Sequence, residues 1–582
     1  MGEIHNISAN AEGPDPQNRV SDPLVSARVK VEILSKLDNI RADKQTLHDE
    51  WGACFDCWDQ KHRVRLYEGA SDLFIPVARN IVETFVSQVK ANIFPTTHRF
   101  YVEASPGAPG ASPQAIGALL RHFAEQAHIE QHIEAFIRSG LIYGTAIAKF
   151  PWIERRYDVF RRQPLIPPEM APFVTPDLAA AMRVTKESVK SYDGPAFRTV
   201  DLFRFYVYPI TAPDVESATL LFEDIDVSWS HLKAMERAGV YADVDRCKDR
   251  IHPGNQSDGD RNQRLGRYNV NVEAARTMAP TARGKGDHYV ITEIWAMFDI
   301  DGTGYEEPCK IVACHDVILE IRKNPFWSSR PPYRVWRLID FPDLFFGQGL
   351  MTGLKHQNYA VNALVNQGID AAVYQSNPIV IANSNALTQG LGSIKLGHRS
   401  VIYTNERPGD AVEFVKIPDT SPTAFQTASL IMQSMRDMAG APPILQGKLG
   451  SRDTTATESS IIGANAQSGV QSLTSSLEAS VLSPMLYDWR VLAQQFLDEE
   501  VWLKVTNEPK PVGISAQDIV GDYYTRWLVS GQVKQEAGAI QEEAVMNQAR
   551  ILRGGGAAGP MGMETGAEMG GQPLVPPGLG RA

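Results

Sequence analysis

The feature that most constrains this chain is a proline-free stretch of about 27 residues, 350–376, that stops just before Pro378. Apolar residues recur in it at helical spacing, and amides rather than charges occupy much of the remaining face. The apolar positions are Leu350, Leu354, Val361, Leu364, Val365, Ile369 and Ala372, and the amides are Gln357, Asn358, Asn362, Asn366 and Gln367. A lone surface helix normally has a charged outer face. The pattern therefore predicts a helix covered by protein on more than one side, as between identical neighbours.

The residues before this helix divide into a helical part and a β-rich part. Residues 1–24 are polar and contain three prolines, which predicts a flexible arm. Apolar residues at helical spacing predict a helical stretch over 25–61 and another over 114–140. Between them a helix is predicted from Pro76 to Pro95, with Ser71 or Asp72 as its cap. From about 145 to 340 short β-type runs alternate with Pro and Gly, and the polar, Gly-rich segment 250–287 predicts a long surface loop.

The residues after the helix predict a small β insert followed by two more helices. Alternating apolar residues in 377–420 are typical of strands, and a second helix is expected over about 422–440. Pro442 and Pro443 exclude regular structure at the start of the next segment. A long helix of about 70 Å is expected over 457–502, with an interruption at Pro484. A short strand, a Gln/Glu-rich helix at 532–552 and a Gly/Pro-rich, disordered tail at 553–582 complete the chain.

The bulk composition excludes several classes of protein. The 582 residues exceed what one core usually supports, so several packed units are expected. A net charge of -11 is unlike that of a tight, sequence-independent DNA binder, although it suits a protein past which DNA must slide. We expect neither a secretory signal nor a membrane span. The five cysteines are sparse and odd in number, which favours reduced thiols.

Several motifs resemble a known functional pattern but lack at least one residue that the pattern requires. Cys54 and Cys57 have C-x-x-C spacing, but the only second pair is Cys309 with Cys314, so buried thiols are favoured over zinc. The run Asp299–Gly304 lacks the acidic twelfth residue of a calcium loop and predicts a hairpin turn. Gly347, Gly349 and Gly353 miss the dinucleotide spacing, and Gly447-Lys448 lacks the rest of a phosphate loop. We therefore expect no cofactor, no metal and no catalytic residue.

Four stretches, taken in order, resemble the phage portal (head-to-tail connector) family, particularly that of short-tailed, podovirus-type phages. They are SDLFIPVARNIVETFVSQVKANIFP, PYRVWRLIDFPDLFFGQGL, NALVNQGIDAAVYQSNPIVIA and MRDMAGAPPILQGKLGSRDTTATE. No single one of them is diagnostic, but their order is, and the resemblance spans roughly 70–530. The loop at 250–287 is the chief departure from the family pattern.

This resemblance implies an α+β, mainly helical portal fold in a ring-forming subunit. The implied regions are a wing at 25–345, stem helices at 346–376 and 421–441, a clip at 377–420, a tunnel loop at 442–458, a long helix returning to the wing at 459–510, and a crown at 511–552. The ring of such proteins usually has 12 subunits and lies at one vertex of the head.

The resemblance also implies three groups of site residues. The tunnel loop would contact DNA through Lys448, Arg452, Asp453, Thr454 and Thr455, although an ordinary exposed loop is the alternative. The clip would dock the packaging motor and later the tail adaptor through Lys395, His398, Arg399 and Arg407, although a solvated hairpin is the alternative. The residues expected to pack between stem subunits are Leu354, Asn358, Val361, Asn362, Val365 and Asn366.

A portal of this kind nucleates head assembly, docks the terminase large subunit, conducts and retains double-stranded DNA without sequence specificity, and holds the tail adaptor. The major capsid and scaffolding proteins would be further partners. We expect the protein in the virion at the head–tail vertex, and in the host cytoplasm during assembly. The alternatives are another connector or adaptor ring and a soluble enzyme, in which Asp343 and His356 near Gly347–Gly349 would be the acid and the base.

Overall fold

A computed structural model describes most of the chain between Asn18 and Leu528. The described residues are 18–60, 70–94, 100–104, 112–164, 182–250, 288–376, 380–382, 407, 412–414, 420–440, 468–498, 500–503, 511–521 and 523–528. The structure contains both helices and strands, as expected for an α+β fold. The predicted tail at 553–582 and the loop at 251–287 lie outside the described residues.

The N-terminal helices are less continuous than the periodicity of 25–61 predicted. The elements are α1 (Pro23–Val29), a π turn (Lys30–Leu34), α2 (Ser35–Asp43) and α3 (Gln45–Trp58). One stripe that runs from α1 through the π turn into α2, including Val29, Ile33 and Leu37, is buried against the five-stranded sheet described below. Each such side chain contributes about 1.5–3 kcal/mol on full burial.

The predicted arm is wrong for its last residues, because the chain is already ordered there. The side chain of Asn18 donates to the carbonyl of Val240 and accepts from the backbone N–H of Ile321 at 3.0 and 3.1 Å. Asp22 caps α1 through the N–H of Leu24. Residues 18–24 therefore belong to the folded body.

Three further helices form the centre of the main hydrophobic core. They are α4 (Val77–Ile93), α5 (Pro113–Gln126) and α6 (Ile129–Tyr143). The single helix predicted over 114–140 is in fact two, because His128 adopts a left-handed conformation (φ 48°) between α5 and α6. The cap predicted at Ser71 or Asp72 is also wrong, since α4 begins only after Pro76.

The β-rich part contains two main sheets and one separate ribbon. Strands β1 to β8 are Phe100–Ala104, Thr145–Lys149, Trp152–Pro164, Met182–Pro195, Arg198–Val200, Phe205–Tyr208, Leu220–Ser228 and His288–Phe298. Strands β9 to β11 are Glu307–Cys314, Val317–Lys323 and Tyr333–Arg337. The five-stranded sheet has the order β10-β9-β8-β7-β6, the three-stranded sheet has the order β11-β2-β5, and β3 pairs with β4 alone. The short helix α7 (Trp229–Arg237) covers part of the five-stranded sheet.

The two helices around the β insert match their predicted positions. Helix α8 (Leu350–Ser376) has the predicted bounds, and α9 (Ser421–Met438) begins one residue earlier and ends two earlier than predicted. Between them β12 (Val380–Ala382) pairs antiparallel with β13 (Val412–Phe414). The remainder of the predicted insert, including Lys395, His398 and Arg399, lies outside the described residues.

The long C-terminal helix is shorter than predicted. Helical residues 468–477 lead into a π turn (Glu478–Leu482) and then α10 (Ser483–Phe496), so the helix ends six residues before 502. A proline inside a helix cannot donate a backbone hydrogen bond and crowds the preceding turn. The wider π turn directly before Pro484 accommodates both effects, and it is the interruption predicted there.

The part of the predicted crown that the structure describes belongs to the main core. Strand β14 (Val501–Leu503) pairs with β15 (Val512–Ile514), and β16 (Tyr523–Trp527) pairs with β1. The indole N–H of Trp527, a fully buried side chain, donates to the last carbonyl of α4, that of Ile93, at 3.0 Å. The described residues of 511–528 therefore pack into the main core, 529–552 lie outside the described residues, and the crown assignment stays a prediction.

Candidate functional site

Helix α8 binds a segment of its own chain through a row of side chains spaced four residues apart. We call Asn358, Asn362, Asn366 and Asp370 the asparagine ladder, and residues 71–76, which precede α4, the strap. Side-chain oxygens of the ladder accept hydrogen bonds from the backbone N–H groups of Ala78, Ile75, Leu73 and Ser71, in that order, at 2.5–3.2 Å. The strap therefore runs antiparallel to α8.

The ladder fits the strap because two structural repeats nearly coincide. Four residues of an α-helix rise about 6.0 Å, and two residues of an extended chain span about 6.6 Å. Asn362 and Asn366 also donate from their amide nitrogens to the carbonyls of Ile75 and Leu73, at 3.3 and 3.0 Å. Each of these two asparagines thus pairs with both backbone groups of one residue, as a neighbouring β-strand would.

Asn358, the first residue of the asparagine ladder in the chain, also caps α4. The first N–H groups of a helix have no partner within it, and Pro76 before α4 has no side chain that could accept from them. Asn358 performs this role from α8 through the N–H of Ala78 at 3.2 Å. Since Asn358 is fully buried, the cap is also a fixed contact between α4 and α8.

These contacts correct the predicted role of the stem residues. All six are buried within the single chain, with relative exposures of 0–8%. These residues are Leu354, Asn358, Val361, Asn362, Val365 and Asn366. The amide face accordingly serves an intrachain contact, and the burial of these side chains requires no neighbouring subunit.

Helix α8 packs on α3 along another part of its surface. Lys355, almost fully buried, forms an ion pair with Glu50 of α3. The thiol of Cys54 lies 3.8 Å from the hydroxyl of Thr352, and burial raises the pKa of Cys54 to about 11. Cys54 and Cys57 are therefore buried thiols of a helix interface, as predicted.

Helices α8 and α9 lie side by side and antiparallel. A Cβ atom on Gly368 would lie 3.1 Å from the ring of Phe425, and one on Gly353 would lie 3.3 Å from the terminal methyl of Met438. The exposed residues of α8 are Gly353, His356, Ala360, Ala363, Gln367 and Val373 to Ser376. On α9, the exposed side chains include Phe425, Leu430 and Met438 at 40, 69 and 51%. Among the exposed residues of these two helices, which are described throughout, only Asp437 is formally charged apart from the ionisable His356.

A second polar assembly, the ionic cluster, joins the two main sheets. It consists of Lys149, Arg198, Glu223, Glu293 and Tyr333. In the three-stranded sheet Lys149 lies in register between Tyr333 and Arg198, and in the five-stranded sheet Glu223 lies opposite Glu293. The ammonium group of Lys149 is 2.9 Å from both carboxylates, and the hydroxyl of Tyr333 donates to Glu223 at 3.0 Å.

The pKa shifts in the ionic cluster follow from burial and pairing. Burial alone would lower the pKa of Lys149, but the two nearby carboxylates outweigh it and raise this pKa. Burial alone would raise the pKa of Glu293, but Lys149 and Lys310 outweigh it and hold this pKa well below its usual range. Lys149 and Glu293 are therefore both charged near neutral pH.

The motifs that approached a functional pattern have structural roles where they are described. The carboxylate of Asp299 accepts from the backbone N–H groups of Gly302, Thr303 and Gly304 at 2.7–3.1 Å, which confirms the predicted turn between β8 and β9. A Cβ atom on Gly349 would lie 2.4 Å from the carbonyl oxygen of Ile142, so this glycine allows two backbone segments to cross. Within the described ranges, no group of three or more His, Cys, Asp or Glu side chains is placed to hold a metal ion.

The predicted DNA and docking residues are mostly beyond what the structure describes. This holds for Lys448, Arg452, Asp453, Thr454 and Thr455 of the tunnel loop, and for Lys395, His398 and Arg399 of the clip. Arg407 is described and is exposed. The structure therefore brings none of these residues together, and their roles stay predictions.

Sequence reasoning missed both polar assemblies. The four-residue spacing of the ladder was visible, but the strap is nearly 290 residues away in the chain and has no matching pattern. For the ionic cluster the available signal was the presence of charges inside three apolar runs, one each in TAIAKF and ITEIWA and two in LLFEDI. Buried charges are seldom unpaired, so these runs indicated mutual partners.

The architecture is that of a structural subunit whose long paired helices and buried polar contacts organise an α+β body. Comparison with family models places it among viral portal proteins. The matching model is described as Phage SU10 portal protein and covers residues 96–515, well over half of the chain, so the chain belongs to this family. It is accordingly a portal protein of the podovirus type, a head-to-tail connector component of the phage virion.

No curated protein matches the chain. Among the described residues, none of the helices is long and apolar enough to cross a membrane. The portal family is a structural one.

Proposed function

We propose that this portal protein forms a closed ring, of 12 subunits by analogy with the family, at one vertex of the phage head. The observation that carries this proposal is that the exposed residues of α8 and α9 are almost uncharged and include Leu430, with parts of Phe425 and Met438 exposed beside α8. Exposed apolar side chains on a long helical pair with few charges are typical of a surface that another subunit covers. A closed ring covers such a surface in every copy.

The ring would serve as the channel for double-stranded DNA during packaging and ejection. The tunnel-loop residues Lys448 and Arg452 would contact phosphates, with Asp453, Thr454 and Thr455 beside them. Residues 441–500 contain three bases and seven acids, a net charge of 3 − 7 = −4, and of these Glu478, Asp488 and Arg490 are buried or paired within the body and do not line a passage. A mostly acidic passage with few bases would let DNA slide with little friction, since strong phosphate binding would act as a brake.

The ring would also be the docking point for other components of the particle. We propose that the clip, with Lys395, His398, Arg399 and Arg407, receives the terminase large subunit and later the tail adaptor. The exposure of Arg407 supports its availability for such a contact. Contacts with scaffolding and major capsid proteins would nucleate head assembly, first in the host cytoplasm.

Electron microscopy of the purified full-length protein tests the ring. We expect turbine-like particles with a central hole; a uniform population of monomers would contradict the proposal. The DNA role is tested separately by replacing Lys448 and Arg452 with alanine and measuring packaging and retention in assembled heads. Lys36→Ala, an exposed change on α2, is the matched control. Normal packaging by the double variant would exclude the tunnel-loop assignment while leaving the ring intact.

A further inference from the structure

Strands β3 and β4 form a long two-stranded ribbon that has no third strand within the described residues. Their pairing runs from Trp152 opposite Pro195 to Pro164 opposite Met182. Thirteen residues in a strand span about 40 Å. The ribbon is therefore about as long as a small domain is wide, and both of its edges carry backbone groups without a neighbouring strand.

The base of the ribbon is fixed in the main core. Trp152 is 6% exposed, and its ring lies 6.0 Å from those of Phe123 and Phe496. Its indole N–H donates to Asp193, on the partner strand, at 2.9 Å. The direction in which the ribbon leaves the body is thus set by packing.

Beyond its base the ribbon is exposed on both faces. Tyr157, Phe160 and Val184 are 51, 68 and 58% exposed. Tyr157 and Phe160 differ in strand parity, so they lie on opposite faces. Since an isolated two-stranded hairpin is only marginally stable in water, this exposed part needs a partner.

The charges on the ribbon indicate what kind of partner covers it. The two strands carry seven bases and four acids, a net charge of 7 − 4 = +3, in a chain of net charge −11, so the remainder carries −14. The acids alternate with the bases and pair with them, as in Lys186 with Asp158 at 2.8 Å and Arg161 with Glu187 at 3.3 Å. Acids at these positions would repel phosphates, whereas open strand edges and isolated aromatic rings suit a protein surface.

We propose that the ribbon docks on a second copy of this chain, namely the adjacent subunit of the ring. The remainder of that copy carries the complementary negative charge, and a ring holds it at high local concentration. Tyr157 and Phe160 insert into the contact from the two faces of the ribbon. This inference rests on the proposed ring, and the experiment below separates the two.

The test replaces Phe160 in the full-length chain with a photo-reactive phenylalanine analogue. The matched control has the analogue at Tyr305, which is 79% exposed on the turn between β8 and β9. After irradiation of purified protein, we expect dimers and higher multiples on a denaturing gel, at least tenfold above the Tyr305 control. The same substitution at Tyr157 repeats the measurement on the opposite face of the ribbon.

Each outcome decides the inference. If microscopy shows rings but neither position crosslinks above the control, the ribbon does not contact the next subunit, and the ring proposal survives. Adducts with added linear DNA, in place of chain multiples, would assign the ribbon to DNA and overturn the inference. If the unmodified protein forms no ring, the proposed function fails together with the inference.

Discussion

The asparagine ladder and the ionic cluster both bury polar side chains, but they use opposite chemistry. The ladder meets the strap with mainly neutral amides that pair with backbone N–H and C=O groups. The ionic cluster places one ammonium group between two carboxylates that lie opposite each other on adjacent strands. The ladder joins a helix to an irregular segment, whereas the cluster joins two sheets.

The difference predicts how each assembly fails. A neutral amide that loses its partner leaves an unsatisfied hydrogen bond, which costs about 1–3 kcal/mol. Two carboxylates that lose the lysine between them repel each other inside the protein, and a buried charge without its partner costs more. The cluster is consequently expected to be the more fragile to substitution and the more sensitive to pH.

The largest effect is expected for Lys149→Met. This change keeps most of the volume of the side chain but removes the cation between Glu223 and Glu293, so that only the more distant Arg198 and Lys310 remain to offset their charge. We expect a loss of about 3–5 kcal/mol in the free energy of unfolding, measured by chemical denaturation near neutral pH. Lys186→Met, in the exposed ion pair with Asp158, is the control and should change stability little. A loss no greater than in the control would show that the cluster does not stabilise the sheets.

Glu293→Gln tests the pH dependence of the cluster. Because the folded-state pKa of Glu293 is lowered from its ordinary value of 4.5, its stabilising contribution is present above about pH 4.5. That contribution is lost as the pH falls further, toward the folded-state pKa. We expect Glu293→Gln to cost about 2–3 kcal/mol at pH 7, since one partner of Lys149 is removed.

The same variant should then lose less stability than the unmodified protein as the pH is lowered from 5 to 3. Thermal melts across this range measure how steeply the stability of each protein falls with pH, which gives one slope for the variant and one for the unmodified protein. Equal slopes would mean that other carboxylates, and not Glu293, govern unfolding in acid.

The ladder is tested by Asn362→Ala, which removes both bonds to Ile75. We expect a loss of about 1–2 kcal/mol in unfolding free energy, and faster hydrogen exchange confined to the strap and the start of α4. Gln367→Ala, an exposed change on the same helix, is the control. Faster hydrogen exchange throughout the chain would indicate that the ladder stabilises the whole fold and not only the contact between α8 and the strap.

Much of the local structure could be predicted because it depends on local spacing. The bounds of α8 follow from an unbroken apolar stripe and from Pro378, and the interruption near Pro484 follows from the missing backbone donor of proline. His128 was not predicted as a helix break, because neither proline nor glycine marks the position at which the chain adopts a left-handed conformation.

The site could be predicted only in part, because its partners are remote in sequence. The amide face of α8 was recognised, but the strap that covers it could not be predicted as its partner, because the sequence of the strap has no distinctive pattern. The short strand near Trp527 was predicted and is β16, but nothing in residues 511–528 indicates its pairing with β1. The spacing of residues along the chain identifies which face of a helix is buried, but the folded structure is needed to identify the segment that packs against that face.

The smallest effect is expected at Asp370, the one ladder residue that is formally charged. Its carboxylate accepts from the backbone N–H of Ser71 at 3.0 Å and is only partly buried. Asp370→Asn keeps an acceptor oxygen at the same position, so the ladder predicts a change within about 0.5 kcal/mol in unfolding free energy. Asp370→Leu, which removes the acceptor, should lower the free energy of unfolding by more and should speed hydrogen exchange at the backbone N–H of Ser71. If the asparagine variant is as damaging as the leucine variant, charge and not hydrogen-bond geometry holds this end of the strap, and the contrast between the two assemblies is weaker than we infer.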